Sequence, residues 1–436
     1  MKIKIDSAHW SAKNRFLWTV FFVFIGVNVF SSAHFQAQEK NQNFTEFKGK
    51  LVDSRSKTPL AFATLSVDET NISTITNSDG EFLLKVPNVH LNKNITVSFL
   101  GYQTKTLSVS ELKNSDNEIS LQESIMELSE VRINAPKDAR ALVKASLDKK
   151  AKHYLDEETI MTAFYRETIK KRRRNASLSE AIVEIYKEPY SSTKPDKIKL
   201  IKARKSTDYN KLDTLAVKLQ GGPYSTLYAD MIKYPQFIFP NNNLLEYDFV
   251  FDKPTEINDR SVYVVRFKQH SDQVEPMYYG TLYIDVETFS LISAIYNLNV
   301  ENREMATEMF VKKKPNKATV YPTEAAYRID YRLKDGKWYY GYSNLQLTIK
   351  VIWKGRLFNS IYTLNSEMAI TDWAKDLSES FTRKETLRPS VILSDEASGF
   401  SDPEFWGEYN IIEPDNSIES AIEKIKRQLE RQKGKE

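Results

Sequence analysis

Two serine–lysine pairs at S-x-x-K spacing, Ser54 with Lys57 and Ser146 with Lys149, are the first places to look for chemistry in this chain. On a helix that spacing lets the lysine amine take the serine proton and create an acyl-accepting nucleophile. Ser54 falls in a polar turn and Ser146 in an amphipathic, lysine-rich surface segment; neither has companion motifs, so both read as ordinary surface residues. No G-x-S-x-G elbow, phosphate-binding loop or dinucleotide fingerprint occurs. Gly221-Gly222-Pro223 is glycine-rich, but proline removes a backbone donor that an anion cradle would use, so it reads as a bend. Asp156-Glu157-Glu158 reads as a solvated loop. The basic run Lys170-Lys171-Arg172-Arg173-Arg174 has the charge to touch anionic lipid head groups. Its plainer reading is a solvated hairpin tip that blunts a sheet edge.

The chain has five histidines and no cysteine. Thiol catalysis, disulfides, cysteine-bound metals and a lipid-modified cysteine are therefore excluded. His34, His90, His153 and His270 are too scattered for a zinc motif, and His153 with Asp156 lacks ligand spacing. No catalytic, cofactor-binding or metal site is assigned, and no cofactor is expected.

The N-terminus decides which residues belong to the folded protein. Lys2, Lys4, Lys13 and Arg15 precede an apolar run from Phe16 to Phe30, followed by Ser31-Ser32-Ala33. Basic, apolar, then small is the order of a secretory signal peptide, with cleavage expected after Ala33. The run is shorter than the roughly 20 apolar residues of a spanning helix; a retained anchor is the alternative. The leader holds four bases against the single acid Asp6, so its removal lowers the net charge from +4 to about +1. A near-neutral chain with interspersed signs argues against a nucleic-acid partner.

After the leader the pattern turns to short β-runs. Phe47 to Asp53, Leu60 to Val67, Ser73 to Thr76, Glu81 to Val86, Ile95 to Leu100 and Gln103 to Val109 are separated by polar turns. Asp79-Gly80 is a strong turn signal, since glycine accepts the positive φ of a tight turn. The succession GKLVD, TPLAFATLSV, STITNSDGEFLLKV and ITVSFLGYQT resembles the carboxypeptidase regulatory-like domain. The resemblance implies a transthyretin-like sandwich of seven strands, non-catalytic, of a kind common in envelope proteins of the Bacteroidetes type. It also implies that Asp79-Gly80 makes the central hairpin and that Gly101-Tyr102 caps the sandwich.

Glu127 to Ile133 reads as a last β-run, and Asn134-Ala135-Pro136 as a break. The domains are thus 1–33 leader, 44–133 sandwich, and 137–436 β-rich. In the last, residues 138–154 carry Ala141, Leu142, Ala145 and Leu147 at helical spacing. Long strands follow over 161–171, 177–187, 197–203, 244–251, 261–268, 278–285, 291–300, 325–333, 337–350 and 356–370. Residues 212–219 and 224–232 read as helical or irregular. Residues 417–433 form a charged amphipathic helix with Ile418, Ile422, Ile425 and Leu429 on one face. A closed membrane barrel is disfavoured by that charged end and by lysines at alternate strand positions.

The fold class is mainly β: the sandwich, then a large antiparallel, curved sheet with a few helices. AFYRETI, SEAIVEIYK, YYGTLYID and FWGEYNII look like the uncharacterised portion that follows this sandwich in related envelope proteins. The strand pattern is also similar to lipoprotein-carrier half-barrels. These readings give an exported, non-enzymatic binding or scaffolding protein, periplasmic or outer-membrane-associated, with an aromatic sheet face as its site. Its expected partner is an outer-membrane protein or envelope ligand, with at most peripheral membrane contact. The alternatives are a periplasmic carrier of a hydrophobic ligand, recognisable by an apolar cavity beneath the sheet, and a hydrolase with buried carboxylates in a cleft.

Overall fold

The computed structural model describes residues 2–7, 43–124, 138–172, 174–207, 215–240, 243–375, 385–399 and 405–415. The apolar run of the leader, the 127–136 junction and the 417–433 helix lie outside the described residues. Among the described residues no helix is long and apolar enough to cross a membrane.

The chain opens with β1 (Lys2–Ser7), which joins the second half of the fold. The first domain then uses β2 (Phe44–Asp53), β3 (Thr64–Val67), β4 (Ser73–Ile75), β5 (Glu81–Pro87), β6 (Asn94–Ser98), β7 (Lys105–Ser108) and β8 (Asn117–Leu121). They form two sheets, β5-β2-β8 and β4-β3-β6-β7. Alternation explains the core. Leu65, Val67, Ile95 and Val97 meet Phe47, Leu51, Phe82 and Leu84 between the sheets.

Two details differ from the sequence reading. Asp79-Gly80 does not make a hairpin within one sheet; it carries the chain from β4 across to β5 in the facing sheet. Gly80 has φ +75°, and a Cβ there would lie 2.7 Å from the Leu51 carbonyl oxygen. The seventh strand is β8, parallel to β2, with Ile119 and Leu121 buried.

The second domain begins with α1 (Ala139–Asp148) and α2 (Lys150–His153). Asp138 caps α1 by accepting from the Arg140 amide. The buried face of α1 is Ala139, Leu142, Val143 and Ser146, rotated from the expected stripe, and Ala141 is exposed. Next come β9 (Thr159–Lys171), β10 (Arg174–Lys187), β11 (Lys197–Thr207) and β12 (Leu215–Gln220). β12 is a strand where the sequence suggested helix or irregular chain. α3 (Pro223–Leu227) follows the Gly221-Gly222 bend, then β13 (Tyr247–Phe251), β14 (Thr255–Ile257) and β15 (Arg260–Gln269). β16 (Tyr278–Asp285), β17 (Leu291–Leu298), α4 (Arg303–Phe310) and β18 (Val311–Lys313) come next. The long strands β19 (Ala318–Lys334), β20 (Lys337–Trp353) and β21 (Ser360–Ala374) precede α5 (Leu393–Glu396) and β22 (Ser398–Gly399).

Twelve of these strands make one sheet in the order β13-β15-β16-β17-β19-β20-β21-β9-β10-β11-β22, with β14 paired to β15. Every pairing is antiparallel except β11 with β22. The meander from β15 to β21 ends against β9, so the first long strand and the last are neighbours. Among the described residues the sheet does not close.

Period-two alternation gives the sheet two different faces. One carries Met161, Ala163 and Tyr165 of β9 and Ile329 and Tyr331 of β19, covered by α1, α3 and residues 231–239 and 244–247. The other carries Phe164, Ile182, Tyr342 and Ala369, packed against Ile75 and Leu83 of the sandwich and Trp406, Ile411 and Ile412. A small sheet, β12-β1-β18, completes the domain. Its central strand, β1, lies inside the expected leader. A chain cut after Ala33 would lack it, and β12 and β18 would lose their common partner.

Candidate functional site

The sandwich touches the large sheet at two places. At the first, Asn71 donates to the Trp373 carbonyl (2.6 Å) and Ser73 to the Ile370 carbonyl (3.1 Å). Arg332 donates to Ile370 O (2.8 Å) and also to Ser73 Oγ, and Lys334 donates to Thr70 O (2.7 Å). The segment 405–415 is clamped between the domains: Thr74 donates to Ile411 O, and Asn410 exchanges two hydrogen bonds with the Lys85 backbone. At the second, the Gly101 amide donates to Glu256 O (3.1 Å) and the Thr104 amide to Asp259 (3.1 Å).

Between these two contacts a cleft of about 340 Å³ remains. That is within the size range of small-ligand sites. Its floor is β19, where alternation puts Arg328, Asp330, Arg332 and Lys334 on one face. Its roof is the β3–β6 side of the sandwich, including Thr64, Ser66, Asp68 and Thr96.

The polar groups of the floor are held in place. Arg328 Nε donates to Asp330 (2.8 Å), and Ser293 Oγ donates to the other Asp330 oxygen (2.6 Å). Burial disfavours the Arg328 charge, but Asp330 outweighs it and holds the guanidinium above its usual pKa. The Arg328 guanidinium stands 5.6 Å from the Phe62 ring. Arg328 lines the cleft, and no hydrogen bond from its Nη groups is found among the described residues. Arg332 is buried and desolvation lowers its pKa, with Tyr339 acting against that shift; among the described residues its Nη2 makes no close hydrogen bond. Gly341, opposite it, makes room: a Cβ there would sit 2.7 Å from Arg332 Cγ. On the roof, Asp68 accepts from Thr96 Oγ1 (2.6 Å).

Residues 47–133 match the family model described as the CarboxypepD_reg-like domain. The first domain is a carboxypeptidase regulatory-like domain. No curated protein matches the chain. Among solved structures, a lipovitellin described for its lipid–protein interactions is similar at 6% identity and a TM-score of 0.27. That similarity covers 58% of this chain and only 28% of the lipovitellin chain. A DUF1329 family protein from Desulfovibrio piger is similar at 10% identity and a TM-score of 0.22, over 56% of this chain and 96% of that one. Likeness at that level assigns neither fold nor ligand.

In the regulatory-like domain, Gly101-Tyr102 acts as the resemblance implied. Gly101 has φ +80°, and Tyr102 packs on the sandwich core against Phe99 (5.3 Å). Burial, and Asp53 beside it, push the Tyr102 hydroxyl up to about 12. Neither S-x-x-K pair is assembled for catalysis. Lys57 pairs with Glu118 (2.9 Å), away from Ser54. Ser146 is buried, contrary to its expected surface position, because α1 turns it inward, while Lys149 stands over the Phe289 ring at 4.6 Å. Asp156 and Glu157 are exposed, and Gly221-Gly222 form a bend closed by Gly221 N to Val391 O (2.8 Å). Among the described residues no group of three His, Asp or Glu side chains could hold a metal ion.

The covered face of the sheet, expected to be the site, is filled by the chain itself. Tyr154, Tyr190, Tyr331, Met231 and Phe239 are all buried there. Within it Lys187 bridges Asp196 (2.7 Å) and Asp230 (2.9 Å), and Tyr190 and Tyr331 donate to Asp230 (both 2.9 Å). Burial opposes the Lys187 charge, but Asp196 and Asp230 outweigh it and raise its pKa. On the docking face, Arg166 pairs with Glu180 (2.8 Å) and Glu367 (3.3 Å) and donates to Ile412 O (2.6 Å). These clusters fasten segments to the sheet. Sequence reasoning missed the cleft because its residues come from five separate stretches, and only β19 shows them at a regular spacing.

Proposed function

We propose that the protein is a non-catalytic binding protein of the cell envelope, and that its ligand or partner segment sits in the cleft between the regulatory-like domain and the sheet. The observation that carries this reading is the β19 floor. Arg328 is fixed by Asp330 through its Nε and lines the cleft, and Arg332 beside it is buried with one guanidinium nitrogen making no close hydrogen bond. Guanidinium groups so placed recognise a carboxylate or a row of carbonyl oxygens. The Phe62 ring and the Thr64–Ser66 edge supply an apolar wall and hydroxyls around them. The envelope location rests on the N-terminal leader and on the regulatory-like domain.

The carrier reading has less support. An apolar cavity would be needed beneath the sheet, where aromatic side chains now pack. A hydrolase would need a raised-pKa carboxyl in the cleft. The carboxyl pushed up to about 7 is Glu167, under the opposite face. Photo-crosslinking from Ser66 in the intact envelope tests the proposal: a species captured there and lost in Arg328→Ala supports it, and equal capture by both contradicts it.

A further inference from the structure

One rim of the large sheet is built from the ends of five neighbouring strands. β19 starts there at Ala318, β20 ends at Trp353, β21 starts at Ser360, β9 ends at Lys171 and β10 starts at Arg174. The register fixes them side by side: Ala318 faces Trp353, Val351 faces Ser360, and Tyr362 faces Lys171. Two backbone bonds tie the turns together, Lys354 N to Lys317 O (2.9 Å) and Arg172 N to Ile361 O (2.9 Å).

The 354–359 turn at the centre of this rim carries Leu357, 95% exposed, and Phe358, 78% exposed, with Ile361 42% exposed beside them. Among the described residues nothing packs over these two large adjacent apolar side chains at the hairpin tip. Around them stand exposed bases: Arg172 and Arg174, Lys314 and Lys317, Lys354 and Arg356. The turn segments that supply them, 170–174, 312–317 and 354–359, contain no acidic residue. Asp415 lies within 3.9 Å of Lys170 at the edge of the group.

An apolar tip inside a ring of bases matches one surface in both respects. The apolar pair fits the acyl boundary of a bilayer, and the bases fit a plane of anionic head groups. We propose that this rim docks the protein peripherally on an anionic lipid surface, with Leu357 and Phe358 inserted and the surrounding lysines and arginines at head-group level. The basic hairpin tip thereby has a use beyond blunting an edge. The proposal does not depend on what the cleft binds.

The absence of cysteine from the chain gives a direct test. A single Leu357→Cys carries an environment-sensitive dye at the tip, and Asp335→Cys carries it on the β19–β20 turn at the opposite end of those strands. The full chain is mixed with phosphatidylcholine vesicles with and without about one-third phosphatidylglycerol. The dye at 357 is expected to shift to the blue only with the anionic vesicles, reversibly with high salt, while the dye at 335 stays unchanged. Leu357→Ser with Phe358→Ser, both exposed and so tolerated by the fold, should weaken vesicle partitioning roughly tenfold or more. Equal shifts at 357 and 335, or partitioning unchanged by the double serine variant, would overturn the proposal. So would loss of a co-purifying acidic protein in that variant with vesicle binding intact.

Discussion

Phe62 of the regulatory-like domain stacks on Tyr342 of the large sheet, ring centroids 5.7 Å apart and planes 23° apart. Phe62 also faces the Arg328 guanidinium, so one ring joins the two domains and forms part of the cleft. Its φ of +65° shows that the loop is held in a left-handed conformation to place it. Phe62→Ala should loosen the domain contact by about 1 kcal/mol beyond lost area. Calorimetry is expected to show a lower unfolding midpoint for the regulatory-like domain, with the sheet domain unchanged. An unaltered trace would mean the stack is incidental.

Glu167 gives the chain a pH dependence of definite sign. Register aligns Ser366, Glu167, Ser179 and Lys205 across four strands, a polar row between two apolar clusters of the covered face. Tyr165 donates to Glu167 (3.1 Å), Asp395 of α5 repels it, and Lys205 is bound to the Ser394 carbonyl. Burial is the main cause that pushes the Glu167 carboxyl up to about 7 from 4.5. Between those values the unfolded chain releases a proton that the folded chain keeps, so stability falls as pH rises and levels off above pH 7. Glu167→Gln removes this loss. In denaturant titrations the variant should gain on the order of 3 kcal/mol over the parent between pH 4 and pH 8. A pH-independent difference would sink the assignment.

Lys187 tests whether the covered face is a packed core. Lys187→Met leaves Asp196 and Asp230 buried without their cation and should cost about 3–5 kcal/mol. Adding Asp196→Asn and Asp230→Asn should recover much of that. Equilibrium unfolding of the two variants decides. If Lys187→Met alone is neutral, the face is open to water and the carrier reading regains ground.

The leader reading and the small sheet make opposing claims on residues 2–7. If the leader is removed after Ala33, the exported chain has a mass beginning at His34 and lacks β1. Backbone amides at Leu219 and Val311 should then exchange faster in the processed chain than in an unprocessed precursor, where β1 pairs with both strands. Equal exchange would show that β1 does not hold them.

The sandwich was legible because its strands are short and local. Leu65, Val67, Ile95 and Val97 alternate cleanly, and Gly80 and Gly101 mark positions only a positive φ can serve. Which sheet each strand joins was not legible, since the turn at Asp79-Gly80 looks the same whether it folds back or crosses over. In the second domain the hairpins were readable from their turns. The pairing of β21 with β9, some 200 residues apart in sequence, was not, because nothing local encodes it. Arg328 and Arg332 alternate along β19, and nothing in the sequence shows that the sandwich covers them.

The cleft floor is proposed to bind a component of the envelope. A photoreactive residue at Ser66, with a control at exposed Asn114 on the far side of the sandwich core, measures this in intact cells followed by fractionation. A specific adduct is expected at position 66, absent at 114 and lost in Arg328→Ala with the fold intact. An adduct that survives Arg328→Ala, or one that forms equally from position 114, would contradict it.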